Sequence, residues 1–187
     1  MKKWNVLKSR YIFESPYGSL RLDTCDLMND RIIHDYNVCE YPDWVDIVAI
    51  NENMELVMVK QYRHGIGDFS LEVVAGSIEA GESPEDTMVR ELQEETGYVC
   101  LGNPVLLGKF HCNPARQDNI IHIYFCDNIR KEYEQNLDDT EDIEIVHIPF
   151  DRVDDLIRNG TITQLSSVTA IKLAKDYISG TGMKSDK

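Results

Sequence analysis

Of the five glutamates between positions 82 and 95, four could converge on one site: Glu82, Glu91, Glu94 and Glu95. Glu91 and Glu95 are four residues apart with Glu94 between them. On a helix all three lie on or beside one face. Like charges at that spacing destabilise a bare helix, so the arrangement needs a positive partner. Arg90 supplies part of it, since it can reach Asp86 and Glu94 along the helix. Convergent carboxylates also suit Mg2+ or Mn2+, hard cations that take oxygen ligands and complete their shells with water and phosphate oxygens. A solvated acidic helix face is the plainer alternative, and charge alone favours it.

Local signals provide the helix. Ser83 can cap free amides, Pro84 suits the first helical position, and Glu85 and Asp86 favour the positive end of the dipole. Gly97 stands where a left-handed terminal residue belongs. Met88 and Leu92 share a face and point to the core. Around this helix, Val45–Ile50 and Glu55–Lys60 flank Asn51–Met54 and predict a hairpin of core strands. Phe69–Ala75, Ile120–Cys126 and Ile143–Ile148 predict further strands, and Asp151–Asn159 and Ser167–Ser179 two further helices. The leading residues, to about 42, predict two or three strands in a meander. They are too few to form a core alone, so they must pack on the rest of the chain or on a second copy.

The chain has 187 residues, 33 acidic and 19 basic, for a formal charge of −14. That surface is unsuited to a long phosphate backbone or an anionic membrane, but not to a small anion bridged by a divalent cation. No stretch approaches the length of a membrane span, and the start lacks a signal peptide's apolar region. The five cysteines are odd in number and scattered, and are expected to be reduced thiols in a cytoplasmic protein.

Gly76, Glu82 and the run Arg90-Glu91-Leu92-Gln93-Glu94-Glu95-Thr96-Gly97 resemble the Nudix box, with Tyr98 where an aliphatic residue is usual. The resemblance implies an α/β (α+β) Nudix fold, a mixed β-sheet sandwiched between helices, with an N-terminal β-rich extension. It also implies metal-dependent hydrolysis of a nucleoside diphosphate linked to another group. By the same resemblance Glu91, Glu94, Glu95 and the Ala75 carbonyl are metal ligands for Mg2+ or Mn2+. Glu82 is a supporting acid, Arg90 orients the carboxylates, and Gly76 and Gly97 give tight loop geometry. A diphosphate resists attack because its oxygens are negative, and a divalent cation neutralises that charge and positions the phosphate.

Lys60-Gln61-Tyr62-Arg63-His64, the stretch Leu71–Gly76 and Pro114 resemble the ADP-ribose pyrophosphatase branch. Val73-Val74 stands there in place of Leu-Pro, and Asn113-Pro114-Ala115-Arg116 in place of Ser-Pro-Gly. Arg63 can fork onto phosphate, stack on a base, or serve as a surface salt-bridge partner. Arg116 can meet phosphate or ribose, or be a solvated loop residue. Glu72 can accept hydrogen bonds from substrate, or face solvent. In that branch the catalytic base resembles an acidic loop residue before a late strand. Within Asp138–Glu144 this favours Glu141, with Glu144 as runner-up.

The expected organisation is residues 1–42 as an extension serving dimerisation and the substrate cleft, 43–180 as the Nudix hydrolase domain, and 181–187 as a tail. The expected protein is a cytoplasmic homodimeric pyrophosphatase of ADP-ribose or a related nucleoside diphosphate sugar. GDP-mannose, another sugar nucleotide or NADH is the alternative substrate. A non-catalytic nucleotide-sensing module is the alternative of another class, and the filled acidic positions argue against it.

Overall fold

The computed structural model describes residues 2–180; the expected tail, 181–187, lies outside them. The elements in chain order are β1 (Asn5–Ser15), β2 (Gly18–Asp26), β3 (Ile32–Glu40), β4 (Trp44–Asn51), β5 (Glu55–Arg63), β6 (Asp68–Ser77) and α1 (Pro84–Thr96). Then follow β7 (Tyr98–Cys100), β8 (Val105–His111), β9 (Ile120–Lys131), β10 (Ile143–Pro149), α2 (Val153–Arg158) and α3 (Leu165–Ile178). The chain divides into two compact units. One holds the residues up to Asp43 together with Phe110–Ile120; the other holds Trp44–Lys109 and the described residues from Ile121 onward.

In the first unit, β1, β2 and β3 form an antiparallel sheet in that order. Segment 110–120 is attached to its β3 edge. The Cys39 amide donates to the Arg116 carbonyl at 2.7 Å, the Tyr36 hydroxyl donates to the Ala115 carbonyl at 2.5 Å, and the Arg116 guanidinium donates to Asn37.

The second unit is a mixed sheet ordered β10-β5-β6-β4-β9-β7, with β8 also on β9. The β4–β9 pair is parallel, and the other pairs in that order are antiparallel. Strand alternation sorts the core into two layers. Val48, Ile50, Met58, Val73 and Ile123 face α2 and α3, with Ile171 and Ala174 across from them. Val45, Ile47, Val57, Val59 and Val74 face α1, where Met88 and Leu92 are fully buried.

Two expectations need correction. The Val45–Lys60 hairpin pairs only at Ala49 with Val57 and at Ile50 with Leu56. Below that β6 enters between the two strands, pairing with Trp44–Ile47 of β4 on one side and Met58–Arg63 of β5 on the other. Cys100 and Cys126 form a disulfide, so the five cysteines are not all thiols; Cys25, Cys39 and Cys112 are free. The neighbouring strands β7 and β9 set the two Cα atoms 6.2 Å apart, a proximity that a separation of 26 in sequence conceals.

Candidate active site

The predicted start of α1 forms as a capping box. The Ser83 hydroxyl accepts from the Asp86 amide at 3.1 Å, and the Asp86 carboxylate accepts from the Ser83 amide at 3.4 Å. Asp86 is thus engaged at the cap. Arg90 reaches back beyond it and donates to both Glu82 oxygens, at 2.8 and 2.9 Å, and to the Ser77 carbonyl at 3.2 Å. It also donates to Glu91 at 2.7 Å and to Glu94 at 3.1 Å. One guanidinium therefore ties three of the four box glutamates. Arg90 with the Thr87 hydroxyl holds the Glu82 carboxyl down at about 2.

Glu91 and Glu95 lie deeper, at 8% and 3% exposed. Burial pushes the Glu91 carboxyl up to about 7 against the pull of Arg90, and the charges of Glu94 and Glu141 add to it. Burial likewise raises Glu95 well above the usual range, and neighbouring Glu91 adds to that. Glu95 accepts from the Ala75 amide at 3.3 Å, so the observed link to Ala75 runs through its N–H. Gly76, with no Cβ, leaves the space that the Glu91 side chain fills. Gly97 takes the left-handed cap, φ 72°, against the Tyr133 carbonyl.

Among the described residues, no three His, Cys, Asp or Glu side chains stand close enough together to hold a cation as they are. Arg90 holds Glu91 and Glu94, and a backbone amide holds Glu95. The donor set nevertheless fits a hard divalent cation. Burial raises the proton affinity of two of these carboxylates, and a bound cation would favour their ionised form in place of the protons.

Arg63 and Glu72 form a forked ion pair. Arg63 Nη2 lies 2.6 Å from one Glu72 oxygen, and Nε lies 3.1 and 3.2 Å from the two. Glu72 is 2% exposed, so it faces neither solvent nor an open ligand position, and the half-exposed Arg63 covers it. The charges of Glu95 and Glu141 raise the Arg63 pKa further, after the Glu72 contact. Arg63, Glu72, Glu91, Glu95 and Glu141 thus form one electrostatic neighbourhood, with the Glu141 carboxylate accepting from the Asp138 amide at 3.1 Å. Arg116 belongs to the other unit, on the segment attached to β3.

Sequence reading missed the Arg63–Glu72 pairing, although nine residues across a tight hairpin was an available signal. It also missed Gln135, whose amide reaches the Glu95 carbonyl; nothing local in the sequence signals that contact.

A mixed sheet between helix layers carries an arginine-tied glutamate cluster on a capped helix. The family model described as NUDIX domain matches residues 40–167. The chain belongs to the NUDIX family. It is 31% identical over 168 residues to a methanol dehydrogenase activator of Bacillus methanolicus, covering 89% of this chain and 90% of that one. It is 26% identical over 168 residues, with the same coverage, to an ADP-ribose pyrophosphatase of Bacillus subtilis strain 168. The crystal structure of an ADP compounds hydrolase shares its fold, with a TM-score of 0.85 over 97% of each chain at 22% identity.

Proposed function

We propose that the chain hydrolyses the diphosphate bond of ADP-ribose or a related nucleoside diphosphate sugar, with Mg2+ or Mn2+ held by Glu91, Glu94, Glu95 and the Ala75 carbonyl. The observation that carries this reading is the buried pair Glu91 and Glu95 on a helix whose Arg90 ties Glu82, Glu91 and Glu94 together. When bound, the cation neutralises the diphosphate charge and polarises its phosphoryl oxygens. Arg90 fixes the Glu82, Glu91 and Glu94 carboxylates in orientation. Arg63, oriented by Glu72, offers the free edge of its guanidinium to a phosphate oxygen. Glu141 leaves the Asp138 amide and accepts a proton from the attacking water.

The exposed β1, with Val6, Leu7, Ile12 and Phe13 in solvent, supports a homodimer formed through the N-terminal strands. A cytoplasmic setting is supported by the free Cys25, Cys39 and Cys112 and opposed by the Cys100–Cys126 bond. Alkylation mapping of protein taken directly from cells decides it.

The test is a panel of ADP-ribose, GDP-mannose, other sugar nucleotides and NADH with Mg2+, read as phosphate released after phosphatase addition. ADP-ribose should give AMP and ribose 5-phosphate, and EDTA should abolish turnover. No cleavage of any member, or full activity in EDTA, overturns the reading. The name of the Bacillus methanolicus relative supports a second reading, in which the chain acts on an alcohol dehydrogenase. Adding it to such an enzyme, with and without Mg2+, separates the two.

A further inference from the structure

We infer that Gln135 is a positioning residue that sets the spacing between the glutamate-bearing helix α1 and the loop that carries Glu141. The last four carbonyls of a helix have no partner within it. In α1 the Gln93 carbonyl accepts from the Gly97 amide at 2.7 Å, and the Glu94 carbonyl from the Asn136 amide at 2.9 Å. The Glu95 carbonyl accepts from Gln135 Nε2 at 2.8 Å. The same nitrogen donates to the carbonyl of Ile143 at 3.1 Å. A primary amide nitrogen carries two protons, and here both are used.

Ile143 is the first residue of β10, which among the described residues ends the sheet order beside β5. Glu141 lies two residues before it. Gln135 thus joins the backbone of the buried ligand candidate Glu95 to the strand that anchors the proton-acceptor loop. The approach is fixed from the other side as well: the Glu132 and Tyr133 amides donate to the Gly97 carbonyl at 3.0 and 3.1 Å, and Leu137 packs on the α1-side core. A displacement of about 1 Å in a proton acceptor is enough to cost about 100-fold in rate.

The inference rests on the hydrolase reading above, and its test separates the two. Gln135→Met keeps the side-chain length and removes both donors; Gln135→Lys restores donors, and its charge suits a helix C-terminus. Gln135→Met should lower kcat on ADP-ribose by about 10- to 100-fold, with KM and Mn2+ affinity within twofold of wild type. Gln135→Lys should recover most of that loss. A Gln135→Met protein with kcat within twofold of wild type overturns the inference. So does a parallel fall in Mn2+ affinity, which would assign Gln135 to the ligand cluster, or a failure of Gln135→Lys to recover any rate. If wild type cleaves no substrate, the hydrolase reading fails, and Gln135 is then read by amide hydrogen exchange. Faster exchange across residues 141–145 in folded Gln135→Met upholds the spacing role, and unchanged exchange overturns it.

Discussion

A Cβ built on Gly76 would fall 1.9 Å from the carboxyl carbon of Glu91. The end of β6 therefore leaves the room of a missing Cβ to the Glu91 side chain, which fills it. Gly76→Ala would force Glu91 out of its contact with Arg90. The expected result is a loss of turnover of about 100-fold or more, with a melting temperature lowered by only a few degrees. Steady-state kinetics beside thermal unfolding checks this; wild-type turnover in G76A would refute the close approach.

Arg90 spreads its donors over Glu82, Glu91, Glu94 and the Ser77 carbonyl. A lysine has a single ammonium and cannot fork across them. Arg90→Lys is expected to keep the charge and the fold but lose at least tenfold in kcat, from carboxylates no longer held in orientation. Circular dichroism and kcat at saturating Mg2+ test it. A substitution without kinetic effect would reduce Arg90 to a charge balance.

Asp46 is 1% exposed on β4; its Oδ1 accepts from the Trp44 indole at 3.1 Å, and its Oδ2 has no hydrogen-bond partner. Burial pushes its carboxyl up to about 6, against the hydrogen bond from the Trp44 indole. Between the ordinary carboxylate range and pH 6 the folded state holds this proton more tightly than the unfolded chain does. The contribution to stability is therefore intact at low pH and falls as pH rises through 6. Asp46→Asn removes the ionisation, keeps the acceptor for Trp44, and gives the second position a donor in place of a bare oxygen. It should stabilise the protein by about 3 kcal/mol at pH 8 and by much less at pH 4. Chemical denaturation at the two pH values measures the difference, and an equal effect at both would exclude the ionisation as its source.

The exposed apolar residues of β1 give the proposed homodimer a direct test. Leu7→Lys combined with Phe13→Lys adds charge to an edge strand whose side chains are already in solvent, so the isolated chain should fold as before. Light scattering after size exclusion should report a dimer for wild type and a monomer for the double variant. A wild-type monomer, or a double variant that stays dimeric, would place the contact elsewhere or remove it.

The helix α1 was legible in the sequence because its determinants are local. Ser83, Pro84, Asp86 and Gly97 act within a turn of themselves, and the structure has each at its cap. The core-facing positions of Met88 and Leu92 followed from the helical period. What remained hidden depends on strand neighbours. The partial β4–β5 pairing and the Cys100–Cys126 bond are set by which strand lies beside which, and no residue near those sites carries that information; the Arg63–Glu72 contact, across the short β5–β6 turn, was closer to the surface of the sequence. Strands β7 and β8 were not predicted: one is three residues long, and the other is interrupted by Gly108 and Lys109. Segment 110–120 reads as a simple loop until the hydrogen bonds of Tyr36, Asn37 and Cys39 claim it.

That claim bears on how this protein can be re-engineered. Arg116 takes its backbone partner from β3, some eighty positions earlier in the chain. Grafting the leading strands of a relative onto this body would leave Arg116 without its anchor unless residues 110–120 were exchanged along with them. The two stretches form a single transplantable cassette, and a library that randomises one while holding the other fixed would score their mismatches as losses of stability.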